Sequence, residues 1–323
     1  MIQMVQPTGR PLKVGLVLPL EHDHGRTKAR WRDIKALAQH AEAAGFDSLW
    51  LPDHLVYDFA QMGGIPDVPP WGVWEAWSIL SSVAAVTERV EIGPLVSCTS
   101  FRNPALLAKM ADTVDEISNG RLVLGLGAGY HEIEFRQFGY PLDHLVGRFD
   151  EALQIIHALL RTGKVDFEGA YYSTRECELL PRGPRRTGPP ILMGAKAPRT
   201  RRLAAQYADY WNGLRVDAPE KVVPMREAMD DACIKAGRDP KSLLRTMLLL
   251  FDLPGAYGGE APEGHRAFRT ALGASPAGTA EALAEKLRAF AREGISHVQI
   301  WLEPNTRATV DAMVPVLELL DRA

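Results

Sequence analysis

Residues 90–126, VEIGPLVSCTSFRNPALLAKMADTVDEISNGRLVLGL, read as strand, helix, strand. Residues 90–97 form an apolar run of strand length, and residues 121–126 repeat it. Between them Pro104 falls where the first turn of a helix tolerates proline. Apolar residues then recur at helical spacing to Ile117, and Asn119-Gly120 stops the run. A strand, a crossover helix and a second strand form the unit from which parallel sheets are built.

The same unit recurs in both directions. Upstream, residues 13–19 and 48–51 read as strands, each followed by a helix, at 31–44 and 75–86. Downstream, an amphipathic helix at 148–160 precedes strands at 190–194, 209–212, 244–251 and 297–302. Helices at 199–207, 219–236, 279–293 and 307–320 follow them in turn. Eight strand-then-helix units predict an α/β chain folded as a (β/α)8 TIM barrel, one domain over residues 1–323; an open doubly wound sheet is the alternative. Three stretches exceed the minimal barrel: 56–74, rich in Gly, Pro and Trp; 165–172, which reads as a small hairpin; and 254–276, without periodicity. The first and third follow strands two and seven, so they are expected at the C-terminal face, where barrel active sites are built.

Composition narrows the function classes. Hydrophobic residues make up 46% and charged residues 24%, an ordinary globular balance, and the formal net charge is −3 with both signs scattered. A nucleic-acid partner needs clustered cations and is not expected. The densest basic groups, Arg199, Arg201 and Arg202 beside Arg182, Arg185 and Arg186, read either as a solvated face or as an anion site. Cys98, Cys177 and Cys233 are sparse and lack metal-ligand spacing, which fits a reducing cytoplasm. No apolar stretch approaches the roughly 20 residues of a membrane helix, so neither a membrane nor a secretory route is expected.

Chemistry-bearing residues collect at the predicted strand ends. Strand two ends in Trp50-Leu51-Pro52-Asp53-His54. His54 is a proton donor or acceptor near neutral pH, with Asp53 fixing its tautomer or bonding a ring edge; the plainer reading is a local hydrogen-bonding histidine. Strand four ends in Gly125-Leu126-Gly127-Ala128-Gly129-Tyr130-His131, small residues that leave room for a flat ring, without the G-x-G-x-x-G dinucleotide spacing. Strand five ends in Gly194-Ala195-Lys196-Ala197-Pro198 at a helix start. There, backbone N–H groups with Lys196 and Arg199 suit an anion, or form a plain turn.

Taken together, AEAAGFDSLWLPDHL (41–55), VSCTSFRNPALLAKMADTVDEISNGRLVLGLGAGYHEIEF (96–135), PPILMGA (189–195) and RLAAQYADYWN (202–212) resemble the luciferase-like monooxygenase superfamily, in particular its branch of coenzyme F420 (deazaflavin)-dependent oxidoreductases. The resemblance implies hydride transfer between the deazaflavin and a small organic substrate. It implies His54 as the catalytic proton-handling residue, with Asp53 beside the ring. It further implies a non-prolyl cis peptide at Ser97-Cys98 with Thr99 next to it, ring or tail contacts from Gly129, Tyr130 and His131, and a phosphate turn of Gly194, Ala195, Lys196 and Ala197. Trp71 and Trp74 are expected to shield the substrate. A homodimer and a reductase system supplying reduced cofactor accompany the family.

Two other readings compete. One keeps the fold but uses FMN and oxygen as a monooxygenase. The other is a metal-dependent hydrolase, prompted by His22-Asp23-His24 after strand one; strands five and six, however, end in Met193-Gly194 and Trp211-Asn212 without the histidines such a site needs. No metal is expected.

Overall fold

Each barrel strand is a short apolar run whose alternate residues face two different cores. The computed structural model describes residues 9–22, 29–58, 69–253, 275–276 and 278–322. Its strands are β1 (Lys13–Val17), β2 (Ser48–Leu51), β3 (Glu91–Pro94), β4 (Leu124–Gly127), β5 (Ile191–Gly194), β6 (Tyr210–Arg215), β7 (Leu244–Asp252) and β8 (His297–Glu303). All neighbouring pairs are parallel, in the order β3-β2-β1-β8-β7-β6-β5-β4. The ring closes through the Ile92↔Leu122 bridge, where the Val123 N–H donates to the Ile92 carbonyl at 2.8 Å. This is the predicted barrel, not the open sheet.

Inward-facing Val17, Trp50, Val123, Leu192 and Tyr210 pack together inside the ring. Their alternates, Leu16, Leu49, Leu124, Met193 and Ile300, pack outward beneath the helices. Those helices are α1 (Trp31–Ala43), α2 (Ala76–Val86), α3 (Pro104–Ile117), α4 (Leu145–Thr162), α5 (Pro198–Tyr207), α6 (Val222–Lys235), α7 (Ala280–Arg292) and α8 (Arg307–Asp321). Local chemistry sets their ends. Asn103 caps α3 by accepting from the Ala105 and Leu106 N–H groups, Glu75 caps α2, and Thr306 opens α8 with a capping box. No described helix is long and apolar enough to cross a membrane.

Three departures from the sequence reading bear on the site. The third strand stops at Pro94; the chain then steps across, and Ser97–Cys98 pairs with Leu126–Gly127 of β4. The hairpin is larger than expected, Lys164–Glu168 against Ser173–Glu178. The ends of the first insertion form a small antiparallel sheet, Trp71–Val73 between Val56–Tyr57 and Glu21–His22. Residues 59–68 and 254–274, and Asp23 and His24 of the H-x-H motif, lie outside the described residues.

Candidate active site

At the C-terminal ends of the strands the barrel opens into a cavity of about 640 Å³. One wall carries Asp53, His54 and Glu134, a second the Leu95-Val96 segment, and a third Gly194, Lys196 and Ala197. Leu248 and Leu250 of β7, with Trp301 of β8, complete it.

His54 is brought there by the turn after β2, with its side chain 18% exposed. Its Nδ1 lies 3.1 Å and 3.2 Å from the two carboxylate oxygens of Glu134, a buried residue of the short helix Glu132–Phe138. Oε1 of that carboxylate also accepts the backbone N–H groups of Leu55, at 2.5 Å, and Val56, at 3.3 Å. Around the imidazole stand Tyr57, at 4.7 Å between ring centres, and Tyr130 and His131, each at 5.9 Å. His131 is buried behind this group and does not line the cavity. Its Nε2 accepts the Asp58 N–H at 3.0 Å, and burial holds its pKa below the usual histidine range.

Asp53 serves a different partner from the one expected. Arg102 grips its carboxylate with two bonds, Nη1 to Oδ2 at 2.6 Å and Nη2 to Oδ1 at 3.0 Å, and the Cys98 N–H adds a third at 3.2 Å. The carboxylate bonded to His54 is that of Glu134, so Asp53 does not fix the imidazole. Arg102 also donates to Glu75 at 2.6 Å, tying the start of α2 to the cavity wall.

The non-prolyl cis peptide lies at Leu95-Val96, not at Ser97-Cys98. Ser97 is buried away from the cavity and accepts the Trp77 indole N–H at 2.8 Å. Thr99, also buried, donates to the Gly127 carbonyl at 3.3 Å. Cys98 does line the cavity, and burial pushes its thiol pKa up to about 12, which makes it an inert wall group. The glycines of β4 make room for protein rather than for a ring. A Cβ on Gly125 would fall 2.0 Å from the Pro94 carbonyl oxygen, and one on Gly127 2.8 Å from Val96 Cγ2. Gly129 has φ +81°, and a Cβ there would fall 2.5 Å from Cys98 Sγ.

Gly194, Lys196 and Ala197 line the cavity as expected, whereas Ala195 turns inward and its carbonyl accepts the Trp211 indole N–H at 2.9 Å. Ala197 starts α5 without a side-chain cap, so the first N–H groups of that helix have no partner from it. Half of the arginine cluster is engaged in ion pairs: Arg182 with Asp112, Arg185 with Asp115 and Arg202 with Asp150. Neither Trp71 nor Trp74 lines the cavity. Trp71 is held in the small sheet, and Trp74, 44% exposed, donates its indole N–H to the Ala29 carbonyl at 2.5 Å. The tryptophan of the cavity is Trp301.

The luciferase-like monooxygenase family matches residues 12–253. The chain belongs to that family. Its relatives differ in cofactor and reaction. A pyrimidine monooxygenase RutA of Rhizobium rhizogenes is 32% identical over 182 residues, 54% of this chain and 49% of that protein. An F420-dependent glucose-6-phosphate dehydrogenase of Microbacterium testaceum is 34% identical over 205 residues, 61% of this chain and 57% of that protein. This luciferase-like chain therefore spans about half the length of the curated relatives it matches. A riboflavin lyase (RcaE), solved with modified FMN and riboflavin, has the same fold, with a TM-score of 0.78 and 16% identity over 96% of this chain and 91% of that one.

Proposed function

We propose that this chain is an F420-dependent oxidoreductase acting on a small organic substrate. The observation that carries the reading is the His54–Glu134 pair opening on a largely apolar cavity whose far side is an uncapped helix start beside Lys196. The 34% identity to an F420-dependent dehydrogenase supports the choice of cofactor.

The residues present fit such a group. Val96 and Leu95 offer an apolar face for a flat ring, and Gly129 lets Cys98 and Phe135 close up behind it. Gly194, Lys196 and Ala197, with the N–H groups opening α5, suit the phosphate of the tail. When bound, the deazaflavin supplies a carbon centre that accepts or gives up a hydride. The chain supplies the rest. His54 takes or returns the accompanying proton at the imidazole. Leu248, Leu250 and Trp301 hold the substrate and exclude water. Asp53, fixed by Arg102 and the Cys98 N–H, ties the turn that carries His54 to the neighbouring wall of the cavity. A homodimer and a reductase system regenerating the cofactor belong to the same proposal.

Absorbance and mass analysis of the small molecule that co-purifies with the chain, from a host able to make both cofactors, tests it. A deazaflavin is expected. Tight retention of FMN, with oxygen-dependent turnover, would overturn the choice of cofactor while leaving the family intact.

A further inference from the structure

We infer that Glu134 is a positioning residue that sets the tautomer of His54, placing the proton on Nδ1 and presenting a bare Nε2 to the cavity. The inference deepens the reading above and rests on its assignment of His54 as the proton-handling group.

The reasoning starts from what each atom is able to do. An ionised carboxylate only accepts. Oε1 of Glu134 already receives the Leu55 and Val56 N–H groups, so this end of the carboxylate is anchored to the main chain immediately after His54. Oε2 is left facing Nδ1 at 3.1 Å. A neutral imidazole with a lone pair on Nδ1 would set two acceptors against each other beside a buried carboxylate, which is unfavourable. The proton therefore resides on Nδ1. Among the described residues Nε2 has no bonded partner, and His54 lines the cavity, so Nε2 is the atom left for substrate. In this state it accepts a proton; once protonated, it donates one. Tyr57, Tyr130 and His131 stand around the ring, and His131 is itself occupied with the Asp58 N–H.

The same geometry predicts what a near-isosteric change does. In Glu134→Gln the amide has one acceptor and one donor end. The two backbone N–H groups hold the carbonyl oxygen at the Oε1 place, so the NH2 group falls at the Oε2 place and donates to Nδ1. The neutral imidazole must then carry its proton on Nε2. One atom exchanged in a buried side chain would thus turn the cavity-facing nitrogen from acceptor to donor without moving the ring.

The test is nitrogen-detected NMR of ¹⁵N-histidine-labelled full chain without cofactor, at a pH above the histidine titration. Among the nine histidines, the His54 signals are assigned by their loss in His54→Gln. The expected result is the Nδ1–H form in the wild-type chain and the Nε2–H form in Glu134→Gln, with the Leu55 and Val56 amide signals of a second, uniformly ¹⁵N-labelled sample retained as proof that the loop is intact. An Nε2–H wild-type signal overturns the inference, and so does an unchanged tautomer in a folded Glu134→Gln. The wild-type measurement decides alone if that variant does not fold. Because no cofactor or turnover enters, failure here is distinct from failure of the F420 proposal, which the co-purification experiment reads.

Discussion

Two histidines stand at opposite ends of the same barrel, one buried and one open to the cavity, and their surroundings have little in common. His297 sits at the start of β8, 2% exposed, with Nε2 2.7 Å from Ser48 Oγ and its ring edge-on to Trp50 at 5.6 Å. Among the described residues no carboxylate is bonded to it, and Lys13 adds a like charge, so burial first and Lys13 second push its pKa down to about 3. His54 sits at the other end, bonded to a buried carboxylate and open to a cavity. Burial alone turns a histidine into a neutral core side chain. A carboxylate on one nitrogen and open space at the other make a proton carrier.

The comparison is broken most directly by deleting each ring in turn. His54→Gln should lower turnover of the cofactor-loaded protein by about 10²–10⁴-fold, the usual contribution of a positioned acid or base, and leave the melting temperature nearly unchanged. Steady-state kinetics beside a thermal melt reads both. If turnover survives, the rim histidine is structural after all. His297→Ala should do the reverse. It is expected to cost about 2–4 kcal/mol of stability, through lost ring packing and a Ser48 hydroxyl left with only the Trp50 indole N–H, with activity per folded molecule retained. Denaturant unfolding measures it.

Acid sharpens the contrast. The folded pKa of His297 lies below its ordinary value, so between about pH 6.5 and pH 3 the unfolded chain binds a proton that the native chain does not. Stability from this group is complete above pH 6.5. It falls by up to about 1.4 kcal/mol for each unit of pH below that, until the native ring protonates near pH 3. The gap in unfolding free energy between wild type and His297→Ala should therefore narrow as pH drops through this window. A gap independent of pH would mean that the imidazole is not held neutral. The smallest effect is expected at the anion side of the rim: Lys196→Glu should weaken deazaflavin binding by about tenfold in a fluorescence titration, with the melt unchanged. Unchanged affinity would remove Lys196 from the tail site.

Much of this was legible in the chain. Period and length marked all eight strands, because a buried parallel strand must be nearly continuous in apolar residues and each helix must show one apolar stripe. The turn after each strand then placed Asp53, His54, Tyr130, Gly194 and Lys196 at one end of the barrel, and all five line the cavity. What failed was pairing across distance. Arg102 reaches Asp53 and Glu134 reaches His54 across gaps of 49 and 80 residues, and no local spacing encodes either contact. Glu134 lay inside the stretch that carried the family resemblance, yet nothing in its neighbours marked it as buried. The cis peptide was placed two residues late for a related reason. Residues 90–97 look like one uninterrupted strand, whereas the chain leaves β3 at Pro94 because Gly125 of the next strand admits the Pro94 carbonyl. Trp71 and Trp74 were expected at the cavity because their insertion follows strand two at the C-terminal face, and the small antiparallel sheet takes their segment elsewhere.

The step from Pro94 to Ser97 also has a bearing on how such a barrel diversifies. There the chain changes neighbours, and Gly125 and Gly127 are pinned beneath it by contacts too close for any added carbon. That side of the cavity is shaped by the path of the main chain together with the side chains of Leu95, Val96 and Cys98. Leu248, Leu250 and Trp301 shape the opposite side with whole side chains, each replaceable without disturbing the ladder that carries it. The outline of the cavity is therefore open to variation at β7 and β8, while close glycine contacts confine the β3-to-β4 crossing.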